Sequence, residues 1–388
     1  MVDVAKKHGT RKRIDSKGYF DFSLLIIIIF LVCFGMIMLY STVSYTAQIQ
    51  NITTTSYLRN QIWATVLGFF CMFLFAKMDY HFLKKVAVLA YIGSLALIVL
   101  VLTPLGITRN GATRWIGVGS FLTFQPAEVV KVGVIIFAAH VMDIFSRKKK
   151  AEILSLIALA FAIIPAIMLW KITDNLSSAI IVAGIAVIII FVSTKAYKVF
   201  IAAGIAVAAV VAFVIIKLDW LLSVVASFRF ERIQAWLSPE EFAQGTGYQT
   251  LQSLYAIGSG SFFGKGLGNS VQKLNFLPEP QNDMIFAIIC EELGLFGAIC
   301  VILMFLFMIW RFMVIANNAP DMFGALLVTG IMAHIAIQVI LNIAVVTNTI
   351  PNTGITLPFI SYGGTSVVFL LAEMGIALGV SRQIKVYR

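Results

Sequence analysis

The chain has 388 residues, of which 60% are hydrophobic and only 12% are charged, and its mean hydropathy is +0.96. Soluble domains carry about a quarter charged residues, so this composition excludes a soluble globular protein and indicates an integral membrane protein. The net charge of +11 would suit nucleic acid only on a folded soluble surface, so no nucleic-acid partner is expected.

The chain begins with a basic, polar tail, residues 1–20, and the apolar segment after it has no small-residue cleavage site. We therefore expect a cytoplasmic tail before an anchor helix rather than a cleaved signal peptide. The four cysteines lie inside apolar segments, where a thiol behaves as a small hydrophobe. Neither a disulfide framework nor a metal cluster is predicted.

Ten apolar segments are long enough to cross a bilayer as helices, which takes about 20 residues each. They predict an all-α polytopic membrane protein with one transmembrane domain, residues 21–381, followed by a second cytoplasmic tail, 382–388. The ten segments are 21–43, 61–78, 84–103, 126–145, 152–171, 176–194, 198–217, 284–310, 322–347 and 363–381.

The basic residues predict which side of the membrane each loop faces. With the N-terminus in the cytoplasm, 19 of the 29 Lys and Arg residues fall in cytoplasmic segments, as the positive-inside rule requires. Both termini are then cytoplasmic, and three longer loops, 104–125, 218–283 and 348–362, face outside. The second of these, between helices seven and eight, has about 65 residues, too many for a simple connector, so we expect it to be functional.

The fourth predicted helix begins with a charged pair. Glu128 and Lys131 are spaced i and i+3, which places them on one helical face just after Pro126. The pair either caps the helix at the membrane interface or faces and orders a polar cavity, because charges within a bilayer usually face the protein interior. Arg109 and Arg114 precede the pair and are either snorkelling cations or part of a site.

Two patterns stand out in the long loop. Residues 227–236 alternate aromatic, aliphatic and charged side chains, which is typical of an interfacial amphipathic helix. Five glycines between positions 258 and 268 lie near Lys265 and Lys273, but they lack the preceding strand and the ending of a nucleotide-binding loop. They form either a nest of backbone N–H groups for a diphosphate or a plain flexible loop.

Three carboxylates occur where the eighth helix begins. The segment LPEP holds the chain extended just before Asp283, which falls in the first helical turn as an N-terminal cap or as a reactive group. Glu291 and Glu292 lie about two turns further along. A carboxylate surrounded by hydrocarbon needs a partner, so we expect at least one of them to pair with a cation or polar side chain of another helix.

Polar residues recur in the last two helices. His334, Gln338 and Asn342 form a stripe at four-residue spacing, which indicates either interhelical hydrogen bonds or a substrate path. The last outer loop, IPNTGITLPFISYGGTS, precedes a helix that contains Glu373. Because non-helical backbone at membrane depth must contact protein or water, this loop is predicted to line a cavity.

Four of these stretches resemble the SEDS family of FtsW-, RodA- and SpoVE-like proteins of shape, elongation, division and sporulation. They are GATRWIGVGSFLTFQPAEVVK, GYQTLQSLYAIGSGSFFGKGLG, LPEPQNDMIFAIICEELG and PNTGITLPFISYGGTS. The likeness covers nearly the whole chain and is closer to the division and sporulation branch. One departure is TDNLSSAI at 173–180, where the family often has Pro-Asp-Leu-Gly-Thr-Ala, so no role is carried over to that loop.

The resemblance implies a peptidoglycan glycosyltransferase that polymerises lipid II at the outer face of the bacterial cytoplasmic membrane and releases undecaprenyl diphosphate. Asp283 matches the family's essential aspartate and is either the base that accepts the hydroxyl proton or the ligand of a divalent cation, Mg²⁺ or Mn²⁺. No organic cofactor is implied. The substrate contacts implied are Arg109, Arg114, Glu128, Lys131, Lys265, Lys273 and Ser361, and the residues that order the cavity are Glu291, Glu292, His334, Gln338 and Glu373.

The resemblance also implies partners. A class B penicillin-binding protein would supply transpeptidation, and other division or elongation proteins and membrane lipid would surround the pair. Two further functions stay open, a lipid II flippase, suggested by polar residues inside helices, and a scaffold for the transpeptidase. A polymerisation assay on the wild type and Asp283→Ala separates these functions.

Overall fold

The computed structural model describes residues 17–49, 54–109, 111–118, 122–146, 151–194, 197–217 and 228–386. Most of the predicted N-terminal tail and residues 218–227 of the long loop lie outside the described residues. The described chain forms α1 (Phe22–Ile49), α2 (Thr54–Lys77), α3 (His81–Leu100), α4 (Pro126–Phe145), α5 (Ala151–Ile172), α6 (Leu176–Ser193), α7 (Tyr197–Ile216), α8 (Phe228–Leu237), α9 (Tyr248–Ser259), α10 (Ile285–Asn317), α11 (Met322–Val346) and α12 (Thr365–Arg382). Its strands are β1 (Lys17–Gly18), β2 (Gly106–Arg109), β3 (Ala112–Val118), β4 (Leu122–Phe124) and β5 (Lys385–Val386).

Eight helices of the described chain are long and apolar enough to cross a membrane, namely α1, α2, α3, α5, α6, α10, α11 and α12. Two further helices lie where the sequence predicts spans. Of these, α4 carries the charged residues Glu128, Lys131 and Asp143, and the described apolar part of α7, Phe200–Ile216, is short for a span. The all-α polytopic class is therefore confirmed, while the number of ten spans stays a prediction.

The alternating direction of the helices gives the bundle two ends. The strands next to the termini, β1 and β5, pair antiparallel with Lys17 opposite Val386, so both termini lie at one end, as the charge distribution predicted. A buried ion pair there, Arg311 with Asp21 at 2.7 Å, joins α10 to the start of α1. The segments that carry β2–β4, α8 and α9, and the loop after α11, lie at the opposite end, which we call the loop end.

The first outer loop, predicted at 104–125, contains a three-stranded antiparallel sheet in the order β2–β3–β4. Arg109 pairs with Ala112 across the first turn, and Gly111 within this turn has a φ of 77°. The sequence did contain a signal for this hairpin. An Asn-Gly dipeptide, here Asn110-Gly111, flanked by alternating side chains is typical of a two-residue hairpin turn.

The eighth predicted span is interrupted near its start. Gly294 has φ 68° and ψ −168°, which divides α10 into a short part, 285–293, and a long part, 295–317. At 1.5 Å per residue the long part measures about 35 Å and is sufficient to cross the hydrocarbon core. The predicted single span from 284 does not include this break, because the hydropathy stays high through it. Glu291 and Glu292 lie in the last turn of the short part.

The glycine-rich segment 258–268 packs against this break. Four backbone N–H groups join the two segments at 2.9–3.1 Å: those of Lys265 and Gly266 donate to the carbonyl oxygens of Glu291 and Glu292, and those of Leu295 and Phe296 donate to the carbonyl oxygens of Ser261 and Phe262. These bonds satisfy backbone groups that an interrupted helix leaves without intrahelical partners.

Replacing Gly294 by alanine is expected to destabilise the protein, because a Cβ there would lie 2.4 Å from the backbone nitrogen of Gly264 and the carbonyl oxygen of Phe262. The positive φ adds backbone strain for any residue with a side chain. Gly258, in the last turn of α9, is the matched control because a Cβ there meets no atom within 4 Å. Thermal unfolding in detergent should show Tm lowered by several degrees for Gly294→Ala and unchanged or raised for Gly258→Ala. Equal Tm values would contradict this account of the break.

Candidate active site

Asp283 lies at the loop end, two residues before α10 begins, and only 9% of its surface is exposed. Its Oδ1 atom is buried without a hydrogen-bond partner. Its Oδ2 atom faces Gly354, where a Cβ on the glycine would lie 3.8 Å from it. The N-cap residue of α10 is Met284, and no side-chain hydrogen bond caps the helix there. The interpretation of Asp283 as an N-terminal cap would have required such a bond.

Burial raises the pKa of Asp283 to about 7. The negative charge of Glu279 also raises this pKa, while the backbone N–H groups of residues 283 and 284 and the positive charge of Arg232 lower it. A carboxyl group with a pKa near 7 exchanges its proton readily at neutral pH, which is the property of a general base.

Two residues of the polar stripe on α11 hold the backbone around Asp283. The amide nitrogen of Asn342 donates to the carbonyl oxygens of Asp283 and Ile355, both at 2.7 Å. One turn earlier, the amide nitrogen of Gln338 donates to the carbonyl oxygen of Thr356 at 3.0 Å. The stripe thus ties the loop after α11 to the segment that enters α10.

Ser361 holds the same segment through its hydroxyl group. Its Oγ donates to the carbonyl oxygen of Asn282 at 2.6 Å and accepts from the backbone N–H of Leu357 at 2.8 Å. The neighbouring backbone N–H of Tyr362 donates to the carbonyl oxygen of Gln281 at 2.9 Å. The buried hydroxyl positions the chain before Asp283, and its predicted contact with substrate stays a prediction.

A buried network joins α4, α11 and α12. Lys131 Nζ lies 2.9 Å from Glu128 Oε1 and 3.4 Å from Gln338 Oε1. His334 contacts the same Gln338 oxygen through Nε2 at 2.8 Å and Glu373 Oε2 through Nδ1 at 2.7 Å. The structure therefore brings five of the predicted site residues together, and the stripe makes the hydrogen bonds between elements that its spacing indicated.

The Gln338 amide links the network to the loop after α11. Its nitrogen donates to the carbonyl oxygen of Thr356, and its oxygen faces Lys131 Nζ and His334 Nε2. One amide therefore contacts the buried network on one side and the loop backbone on the other.

Lys265 of the glycine-rich segment and residues 270–272 after it bind a carboxylate of the chain itself. Glu291 accepts hydrogen bonds from Lys265 Nζ at 2.6 Å, from Ser270 Oγ at 2.5 Å, and from the backbone N–H groups of Val271 and Gln272 at 3.1 and 3.2 Å. This is a nest of backbone and side-chain donors of the kind that binds anions. In this structure the anion is Glu291.

Glu292 binds Lys273, which follows the glycine-rich segment. Its carboxylate accepts from Lys273 Nζ at 2.7 Å and from Ser41 Oγ of α1 at 2.7 Å. Glu291 and Glu292 both have 0% exposure, and Lys273 has 5%. Both glutamates therefore have partners, and Lys265 and Lys273 are engaged in ion pairs rather than presented toward a ligand.

The other predicted cations lie near the β2–β4 sheet. Arg114 donates to the carbonyl oxygens of Thr173 at 3.3 Å and Asp174 at 2.8 Å, in the turn whose sequence departs from the family pattern. The backbone of Arg109 belongs to β2, and its side chain lies outside the described part of the structure. Their contacts with a diphosphate stay predictions.

Arg232 is a basic residue near the site that the sequence analysis did not single out. It is exposed on α8, and its Nη1 donates to the carbonyl oxygen of Asn352 at 3.4 Å. Together with Trp236, Tyr248 and Gln249 it lines a pocket of about 240 Å³. The amphipathic pattern at 227–236 predicted the helix, whereas the position of Arg232 depends on contacts with the distant loop after α11.

The helical bundle, its polar loop end and the buried carboxylate define a multi-pass membrane protein with a site at one end. Residues 22–386 match the family model FTSW_RODA_SPOVE, described as "Cell cycle protein". The chain belongs to this family, which confirms the resemblance inferred from the four sequence motifs.

Individual relatives agree with this assignment. The chain is 38% identical over 369 residues to "Stage V sporulation protein E" of Bacillus subtilis (strain 168), covering 93% of this chain and 97% of the relative. It is 34% identical over 369 residues to "Probable peptidoglycan glycosyltransferase FtsW" of Trichlorobacter lovleyi, covering 94% of each chain.

Solved structures share the fold. A chain of "Structural coordination of polymerization and crosslinking by a peptidoglycan synthase complex" superposes with a TM-score of 0.78 at 24% identity, covering 94% of this chain and 98% of that chain. Rod shape determining protein RodA of Thermus thermophilus superposes with a TM-score of 0.68 at 23% identity, covering 94% and 97%.

Proposed function

We propose that the protein is a peptidoglycan glycosyltransferase that polymerises lipid II, with Asp283 as its reactive carboxylate. The observation that carries the proposal is the buried Asp283, whose Oδ1 has no partner and whose pKa is raised to about 7. The names of relatives such as the FtsW protein of Trichlorobacter lovleyi support the reaction class. A base that ionises near neutral pH suits the removal of a proton from a sugar hydroxyl.

In the proposed reaction, Asp283 accepts the proton of the acceptor hydroxyl while that oxygen bonds to the anomeric carbon of the other sugar. The bond from this carbon to the diphosphate breaks, and undecaprenyl diphosphate leaves with the electron pair. The pocket beside Arg232 offers two aromatic rings, Trp236 and Tyr248, together with the amide of Gln249. Apolar faces with a few polar groups are what ligand pockets commonly present, and here they suit a sugar ring.

Several residues next to Asp283 in the chain, or in contact with its segment, carry oxygen donors that would suit a divalent cation. Besides Asp283, Gln281, Asn282, Asn342 and Thr353 each have a buried side-chain oxygen without a hydrogen-bond partner. Mg²⁺ and Mn²⁺ prefer carboxylate and carbonyl oxygens. The described residues contain no group of three His, Cys, Asp or Glu side chains that could hold a metal, so Asp283 would supply the charge and the amide residues the neutral oxygens. A bound cation would stabilise the leaving diphosphate.

The setting of the reaction follows from topology and from the relatives. The loop end carries the site, and the distribution of Lys and Arg along the chain supports a position of that end at the outer face of the cytoplasmic membrane. The fold shared with a peptidoglycan synthase complex supports a class B penicillin-binding protein as partner. Similarity to stage V sporulation protein E and to FtsW proteins supports a role in sporulation or division.

Purified protein supplied with lipid II tests this proposal. Glycan chains should form, and their yield should be measured with and without Mn²⁺ or Mg²⁺ and with and without the cognate class B penicillin-binding protein. In liposomes, transfer of labelled lipid II across the bilayer without any polymer under all of these conditions would indicate a flippase and would contradict the proposal.

Asn342 provides a test of how Asp283 is positioned. In Asn342→Ala the carbonyl oxygens of Asp283 and Ile355 lose their donor, at a cost of about 1–3 kcal/mol. Misplacement of a catalytic group by about 1 Å costs on the order of a hundredfold, so kcat for polymerisation should fall by about 10- to 100-fold. Asn318→Ala is the control, because that exposed amide donates to the Val314 carbonyl at the end of α10, away from the site. Equal kcat values for the two variants well below their Tm would exclude a positioning role.

A further inference from the structure

In segment 260–276 of the long loop, both lysines pair with buried glutamates, while the large apolar side chains are exposed. Lys273 is 5% exposed and Ser270 is buried, although both lie in a loop. Phe263, by contrast, is 79% exposed. The exposed large apolar side chains of the segment are Phe262, Phe263, Leu267, Val271, Leu274 and Phe276.

Protein segments in aqueous solution usually have the opposite arrangement. In water, apolar side chains are driven inward and ionised side chains keep their hydration at the surface. In a bilayer, the preference is reversed, because every polar group must be satisfied within the protein. The two charged side chains of the segment meet that condition, since Lys265 pairs with Glu291 and Lys273 with Glu292.

The exposed apolar surface continues into a membrane span. Leu295 and Phe296, the first residues of the long part of α10, are exposed, and their backbone N–H groups bind the carbonyl oxygens of Ser261 and Phe262. Exposed Leu303 lies further along the same helix. The aromatic side chains of the segment are therefore adjacent to the start of a surface that faces lipid.

We infer that segment 260–276 is immersed in the bilayer at the loop end, where its partner is the boundary between lipid headgroups and acyl chains. Interfacial segments insert an apolar face to about 5–10 Å below the headgroups in this manner. The ion pairs with Glu291 and Glu292 allow two lysines to lie at that depth. The inference depends on the membrane-spanning fold and on the contacts of this segment, and it is independent of the proposed reaction.

A spin label at position 263 measures this immersion. The exposed Cys33 and Cys300 and the half-buried Cys71 are replaced by alanine, while buried Cys290 is retained. Phe263→Cys is then labelled with a nitroxide in nanodiscs of phosphatidylethanolamine and phosphatidylglycerol. Collisions with oxygen should exceed those with a water-soluble nickel chelate at this position.

Glu240→Cys is the matched control, because Glu240 is exposed in the turn region between α8 and α9. The chelate should dominate there, and Leu267→Cys should behave like Phe263→Cys. Chelate collisions at 263 and 267 equal to those at 240 would place the segment in water and overturn the inference. If chelate collisions at position 263 fell only after a penicillin-binding protein was added, the surface would bind a protein partner. That result would also overturn the inference.

Discussion

Replacing Asp283 by asparagine is expected to abolish polymerisation and, above pH 7, to raise thermal stability. Loss of a general base lowers rates by about 10²- to 10⁴-fold. A carboxyl group whose pKa is about 7 in the folded protein and near 4 in the unfolded chain costs roughly 4 kcal/mol of stability when it is ionised. Asparagine has the same shape without the charge, so it removes this cost. Lipid II turnover and thermal unfolding of the same preparations measure both effects.

Thermal stability and the polymerisation rate should change with pH in opposite directions. Because the pKa of Asp283 is raised on folding, the folded protein binds more protons than the unfolded chain between about pH 4 and pH 7. The wild type should therefore lose stability relative to Asp283→Asn as the pH rises through this range and stay level above it. The polymerisation rate should instead rise with pH through about 7, as the base becomes ionised.

Glu279→Gln is the control for this prediction. Glu279 is exposed, and its charge raises the pKa of Asp283. The variant should keep the maximal rate while the midpoint of its pH–rate profile moves to lower pH. If Asp283→Asn lost activity and thermal stability together at pH 8, Asp283 would be a structural residue. If it retained the wild-type rate, Asp283 would have no part in the reaction.

Replacing Lys273 by methionine is expected to be the most destabilising change in the loop. It leaves the carboxylate of Glu292, with 0% exposure, without its cation, and removal of one partner of a buried pair costs about 3–5 kcal/mol. The double variant Lys273→Met with Glu292→Gln should recover most of this loss. Thermal unfolding in detergent measures all three proteins.

Lys265→Met is the graded control, because Lys265 is more exposed and Glu291 keeps Ser270 and two backbone N–H groups as donors. Its loss of stability should be smaller than that of Lys273→Met. If Lys273 instead contacted a diphosphate, Lys273→Met would lower polymerisation at temperatures where it is folded. The Glu292→Gln change would then not restore the rate.

The spans could be predicted from the sequence because burial in lipid depends on local composition. The fourth helix was predicted at 126–145 and forms at Pro126–Phe145. The break at Gly294 was not predictable in this way, because the backbone of segment 258–268, distant along the chain, satisfies its exposed groups. The β2–β3 hairpin has a local signal in its Asn-Gly dipeptide, so this element is predictable from the sequence.

The sequence predicted which residues belong to the site better than it predicted which groups those residues contact. The spacing of His334, Gln338 and Asn342 indicated a polar stripe, but the loop residues that the stripe holds are set by tertiary packing. The two lysines near the glycines left an anion nest and a plain flexible loop as alternatives. Their pattern did not show that Glu291 and Glu292, about 20 residues later, would be the anions, because that depends on the turn of the chain at Gly294.

Each basic side chain of the buried network has an acidic side chain as its partner. Lys131 lies 2.9 Å from Glu128, and His334 lies 2.7 Å from Glu373. Within the network, no basic side chain is therefore left free to bind an anion. A diphosphate entering this part of the bundle would lose its hydration and gain no cation in exchange, which disfavours the passage of an anionic lipid past these five side chains.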